Sequence, residues 1–319
     1  MKQSLKKILS RLAAGALLAA CGAAFGQAYP TRPVQLIVPF PAGAPVDALA
    51  RSFAQALDRQ LGERVVVLNR EGGSTTVAMN ALLQAPNDGY TVVYGPVTAL
   101  TVHPHWMKGL QYKPEAFVPV CQTFENVFVL AAGPNSTARD FAGVVQQSKA
   151  KAGGLTYAHP GVSSSPHLAG AELFQRARVE ATDVPFRGEA AMVGQLRDGS
   201  VDLGVVTTGF AINQNLKPIA VFSDKRLKAF PNTPTVRELG FPVTPSGYGG
   251  LFMRADTPAP IVARVEQACK GAVADATFDE MAQRLYQDTD FLDRAGFTAR
   301  LQADSRSKAE LLKTVKLER

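Results

Sequence analysis

Ser163-Ser164-Ser165 lies just ahead of His167, the pairing in this chain best suited to covalent chemistry, because a serine hydroxyl next to an imidazole is an activated nucleophile. The surrounding residues argue against a hydrolase. Gly161-Val162-Ser163-Ser164-Ser165 lacks the closing glycine of a Gly-x-Ser-x-Gly elbow, and no histidine follows His167. His167, at a predicted helix start, suits a structural hydrogen-bonding role. His103-Pro104-His105 offers two imidazoles to zinc but has no neighbouring cysteine or further histidine, and its proline fixes a turn, so no metal site is expected. Neither Gly-x-Gly-x-x-Gly nor Gly-x-x-x-x-Gly-Lys-Ser/Thr occurs, and no cofactor is expected.

A second chemistry resides in three loops: Pro39 to Pro45, Asn69 to Thr76 and His159 to His167. Each places Gly, Ser, Thr or Pro between a strand end and a helix start, where unpaired N–H groups and the helix dipole favour an anion such as a carboxylate. Singly, such loops are ordinary tight turns; three of them make a cleft. Asp47 reads first as a helix cap or first-turn acid, with ligand contact as the alternative. Arg70 is the only firm cation adjacent to one of these loops, and it has Glu71 beside it.

The elements that position these loops alternate. Val34 to Val38 is a strand signal, and Leu49, Ala50, Phe53, Ala54 and Leu57 then recur at helical spacing. Arg64 to Leu68, Val77 to Gln84 and Thr91 to Tyr94 repeat the order strand, helix, strand. A second unit starts near residue 120, with strands at Val127 to Ala131, Leu155 to Ala158, Ala181 to Pro185 and Asp202 to Val206. Helices are expected at Phe141 to Ala150, Leu168 to Arg176 and Ala190 to Arg197. Strand Gly250 to Met253, helix Ile261 to Ala274 and an amphipathic tail helix from Ala299 to Leu317 follow. Alternation of this kind implies α/β architecture with parallel sheets and ligands at the carboxyl ends of the strands.

Length and charge set the remaining bounds. The 319 residues suit two domains, and 46% hydrophobic composition suffices for a sizeable core. Four of the +7 formal charge come from Lys2, Lys6, Lys7 and Arg11, leaving +3 dispersed in mixed sign, which does not support a nucleic-acid footprint. Those lysines precede an apolar run and the small residues Gly26-Gln27-Ala28, so residues 1–28 read as a signal peptide. Leu18-Ala19-Ala20-Cys21 equally fits a lipobox, which would end the leader at residue 20 and lipidate Cys21. Cys121 and Cys269 are distant and outside any Cys-x-x-Cys, and are expected as buried free thiols.

Tyr29-Pro30-x-x-Pro33, Ile37-Val38-Pro39-Phe40-Pro41-Ala42-Gly43 with Asp47 and Ala50-Arg51, Asn69-Arg70, and Pro86-x-Asp88-Gly89-Tyr90-Thr91 stand in order, followed by the Ser-rich loop ending His167-Leu168. Val184-Pro185-Phe186-Arg187-Gly188 and Phe230-Pro231-Asn232-Thr233-Pro234-Thr235 continue the series. This set resembles the Bug receptors, the periplasmic substrate-binding proteins of tripartite tricarboxylate transporters, over nearly the whole chain beyond the leader. The resemblance implies a non-enzymatic monomer of α/β class with a two-lobed, type II-like periplasmic-binding fold. Residues 29–122 with 245–319 would form one lobe and 123–244 the other. It further implies a small organic carboxylate held between the lobes and delivery to membrane subunits of a transporter. By position, Phe40, Pro41, Ala42, Gly43, Asp47, Ser74, Thr75 and Thr98 would face the ligand from one lobe. Gly161, Ser163, Ser164, Ser165, Phe186 and Thr207 would do so from the other, with Tyr248 near the hinge. Many such receptors carry an acid after the second-lobe strand, where this chain has Val205-Val206-Thr207-Thr208, so no preference for amino acids over plain diacids is expected. A ligand-sensing receptor for a membrane signalling partner, or a secreted hydrolase using Ser163 and His167, are the rival readings.

Overall fold

The computed structural model describes residues 29–315. The leader, with both cleavage readings, lies outside the described residues, as do the last residues of the expected tail helix. The first sheet has six strands: β1 (Val34–Val38), β2 (Val65–Asn69), β3 (Thr91–Pro96), β4 (Phe117–Glu125), β10 (Tyr248–Arg254) and β11 (Asp288–Leu292). Their spatial order is β11-β4-β10-β3-β1-β2. The second has five, β5 (Phe128–Ala132), β6 (Leu155–His159), β7 (Ala181–Pro185), β8 (Leu203–Thr207) and β9 (Lys217–Phe222), in the order β7-β6-β8-β5-β9. The helices are α1 (Pro45–Leu61), α2 (Thr76–Gln84), α3 (Phe141–Ala150), α4 (Ser165–Ala177), α5 (Ala259–Val273), α6 (Ala276–Arg284) and α7 (Arg294–Thr314), apart from several of six residues or fewer.

The expected parallel sheets are mixed instead. Each contains a parallel block, β2-β1-β3 or β7-β6-β8, but β10 runs antiparallel to β3 and β5 antiparallel to β8. The reason is where the chain crosses between sheets. β4 ends at Glu125 and β5 begins at Phe128, paired with Thr207 at the carboxyl end of β8. On the return, β10 enters with Gly249 opposite Pro96, the carboxyl end of β3. A strand that enters a sheet at the carboxyl edge of a parallel block must run against it. Both crossings therefore lie at the edges where the candidate loops emerge, and Asn126 N donates to Gly247 O at 2.6 Å, holding the two crossings side by side.

Apolar side chains cover both faces of each sheet. In α1, Leu49, Ala50, Phe53, Ala54 and Leu57 are buried as their spacing predicts, and Phe53 packs against the rings of Tyr94 and Phe278 at 5.0 and 5.5 Å. Burying such a ring contributes about 1.5–3 kcal/mol. The thiol expectation is overturned: Cys121 in β4 and Cys269 in α5 form a disulfide with Cα atoms 6.6 Å apart. Their sequence separation of 148 residues is no obstacle, because the second sheet is an excursion from the first and the chain returns to pack α5 on β4. α7 braces the crossings from outside. Arg300 lies 4.0 Å over the Tyr248 ring and pairs with Glu125 at 2.8 Å, while Lys308 Nζ donates to Thr244 O. No helix among the described residues is long and apolar enough to cross a membrane.

Candidate functional site

Asp47 organises the first loop. Its Oδ2 accepts from Gly43 N at 2.8 Å and Arg51 Nε at 2.9 Å, and its Oδ1 from Asn69 Nδ2 at 2.7 Å, while the same amide group donates to Phe40 O. Burial works to raise the Asp47 pKa, but these hydrogen bonds outweigh it and hold the carboxyl below its ordinary value. The group is 1% exposed, so it positions the Phe40–Gly43 loop rather than presenting itself to solvent, while Pro41, Ala42 and Gly43 are exposed above it. Asn69 and Arg51, which complete this cluster, belong to the family-like motifs but carried no assigned role from sequence.

The next loop approaches the other sheet. Ser74 and Thr75 take left-handed φ values of 49° and 82°, and Ser74 Oγ donates to Val162 O at 3.0 Å. That bond joins a loop of the first sheet to the Gly161–Ser165 loop of the second. Thr75 Oγ1 is buried without a partner. Thr98 is buried just beyond β3, and Tyr248 is buried at the crossing with its hydroxyl unpartnered. No hydrogen bond among the described residues joins Phe40–Gly43 or Thr98 to the second sheet.

The second-sheet loop rests on buried imidazoles. Ser163, at φ 60° and 0% exposed, donates its main-chain N–H to His167 Nδ1 at 3.1 Å, while its hydroxyl has no partner. The imidazole thus supports the serine backbone and does not activate its oxygen, which is the opposite of a catalytic pair. Ser164 Oγ caps α4 by accepting from His167 N, and Ser165 Oγ donates to Ser246 O at 2.6 Å, tying the loop to the crossing. His167 stacks on His159 with ring centres 3.9 Å apart, and both Nε2 atoms approach Asp183 Oδ2, at 3.5 and 3.1 Å. Burial lowers both histidine pKa values against the pull of Asp183.

His159, His167 and Asp183 would make a metal-ligand set by proximity. The proton position on His167 does not suit one. Accepting the Ser163 N–H at Nδ1 leaves the neutral His167 proton on Nε2, facing Asp183, whereas metal-bound histidines donate from the nitrogen that does not bind metal. His103 and His105 do not converge either. His103 is buried without a partner, which lowers its pKa to about 4, and His105 Nε2 contacts Ser305 Oγ at 2.8 Å.

Beside this loop, Phe186 N donates to His159 O at 3.0 Å and Gly188 N to Pro160 O at 3.2 Å. The turn so held ends in Glu189, whose Oε1 accepts from Thr207 N at 2.5 Å and Oε2 from Thr207 Oγ1 at 2.8 Å. No acid stands beside Thr207 along β8 itself; the fold delivers one from 18 positions upstream. Ends of β7, β6 and β8, neighbours in the sheet, therefore present Glu189, the Ser-rich loop and Thr207 together. A Cβ added at Gly43, Gly161 or Gly188 would meet nothing within 4 Å, so the chain beside each of these loops faces open space. A separate depression of about 330 Å³ lies between α4 and α7, where Arg176 and Lys308 are already paired with Glu172 and Asp304.

Two mixed α/β sheets with facing carboxyl edges and two chain crossings define a two-lobed solute-binding architecture. Residues 49–315 match the tripartite tricarboxylate transporter family receptor, and the chain belongs to this family, in which the Bug receptors fall. It is 30% identical over 282 residues to a UPF0065 protein of Bordetella pertussis, covering 86% of each chain. Protein BugT of the same organism is 34% identical over 221 residues, covering 67% of this chain and 68% of that one. The structure of periplasmic binding protein BugD superposes with a TM-score of 0.81 at 28% identity, covering 91% of this chain and 99% of that one.

Proposed function

We propose that this protein is an extracytoplasmic receptor that binds a small organic carboxylate between its lobes and passes it to the membrane subunits of a tripartite transporter. It is a monomer without catalytic activity, exported by its leader, with lobes formed by residues 29–122 plus 245–319 and by 123–244. One observation carries the reading: the buried hydroxyls of Thr75 and Ser163 have no partner, and they lie in the two loops that the Ser74–Val162 hydrogen bond brings together. An unpaired buried hydroxyl costs about 1–3 kcal/mol, which a ligand oxygen recovers. The start of α4 adds the Ser165 N–H and the positive end of its dipole, and Arg70 and Arg187, exposed and in no ion pair among the described residues, supply cations.

Thermal shift against a panel of carboxylates, sugars and peptides tests this. At 100 times its Kd a ligand stabilises by about 2.7 kcal/mol. Carboxylates raising the melting temperature are the expected result; sugars or peptides doing so while carboxylates do not would remove the binding class.

A further inference from the structure

Glu189 stands apart from the other acids of the cleft region. Asp47 pairs with the Arg51 guanidinium and accepts from Asn69, and Asp183 lies beside the Nε2 atoms of two imidazoles. Glu189 has only the Thr207 N–H and hydroxyl, with no ion pair among the described residues. It is partly buried, at the carboxyl edge of three adjacent strands, next to the Ser163 loop whose hydroxyl is free. Each Glu189 oxygen accepts one of these bonds, an arrangement that suits the ionised form and leaves lone pairs for another donor.

We propose that Glu189 determines ligand specificity by forming, with the Ser-rich loop, a subsite for a cationic nitrogen, so that the carboxylate held in this cleft also carries a protonated amine. The proposal rests on the carboxylate-receptor reading. A plain diacid would bring further negative charge toward an uncompensated carboxylate, whereas an ammonium supplies the missing counterion and up to three donors. Burial pushes the Glu189 pKa up to about 7 against the Thr207 hydrogen bonds, so the free cleft sits at the balance point that ligand charge tips. This reverses the expectation from the sequence of no preference for amino acids.

Isothermal titration of the wild-type protein and Glu189→Gln with matched pairs tests the subsite: succinate and aspartate, glutarate and glutamate, butyrate and 4-aminobutyrate. A charge-assisted hydrogen bond corresponds to a preference of about tenfold to a hundredfold for the amino member, lost in the variant. From pH 6 to 8 the affinity of wild type should rise for the amino member and fall for the plain acid, as Glu189 ionises. His159, His167, Asp183 and Arg187 are the other charged or titratable groups nearby, and Glu189→Gln, which keeps them, should flatten both trends. Wild type preferring the plain acids, or a preference that survives Glu189→Gln, overturns the proposal and leaves the receptor reading standing. If none of the six acids binds, the subsite proposal is overturned, and the receptor reading is decided by the thermal-shift panel.

Discussion

The Phe40–Gly43 and Gly161–Ser165 loops occupy equivalent places, each leaving a parallel strand and entering a helix, yet opposite electrostatics hold them. The first is braced by an ionised carboxylate among three hydrogen-bonded partners. The second rests on a neutral imidazole that accepts a main-chain N–H. A charged brace holds at any pH above the carboxylate range, whereas a neutral imidazole must lose its acceptor nitrogen when protonated. One side of the cleft is therefore fixed, and the other is conditional on its histidines staying neutral.

The largest effect should come from the bond that anchors the fixed side. Reducing Cys121–Cys269 opens a loop of about 148 residues, and loop-closure entropy puts its contribution at about 5 kcal/mol. Urea midpoints with and without reductant measure this, and unchanged midpoints would contradict it. Asp47→Ala should cost about 3 kcal/mol, since it strips acceptors from Gly43, Arg51 and Asn69, and Asp47→Asn, which keeps one acceptor oxygen, distinctly less. Denaturation with an unchanged m-value would show that the loss is in stability alone.

The smallest effect sharpens the contrast. A histidine whose folded pKa is depressed binds its proton more readily when unfolded, so stability falls as pH drops below about 6.5, by up to about 1.4 kcal/mol per pH unit. His159, His167 and His103 share this sign. Glu189 opposes them, because a raised carboxyl pKa loses stability as pH rises between about 4.5 and 7. His167→Gln keeps an acceptor for Ser163 N but cannot titrate, and should flatten the melting-temperature profile between pH 7 and 5. A profile as steep as that of wild type would place the pH sensitivity elsewhere.

Elements set by local periodicity were legible from sequence, and pairings set by topology were not. Val34–Val38, Phe141–Ala150 and Ala181–Pro185 fall where spacing and flanking residues put them. The strands Phe117–Glu125, Lys217–Phe222 and Asp288–Leu292 are not expected from the sequence. The last carries two aspartates in five residues and owes its strand form to pairing with β4. The Gly- and Ser-rich loops were visible as candidate anion sites because turn chemistry is local. The Cys121–Cys269 bond, the Asp47–Asn69–Arg51 cluster and the approach of Glu189 to Thr207 each join segments that only the completed sheets bring together.

The Cys121–Cys269 bridge closes the second lobe's excursion covalently. Nearly all of that lobe lies inside a covalently closed ring whose ends are held 6.6 Å apart at Cα. A nick by a protease anywhere inside the ring leaves one covalently joined molecule rather than two fragments. The ring also carries β10 and most of α5, so the closure fixes the points at which the excursion leaves the first sheet and rejoins it.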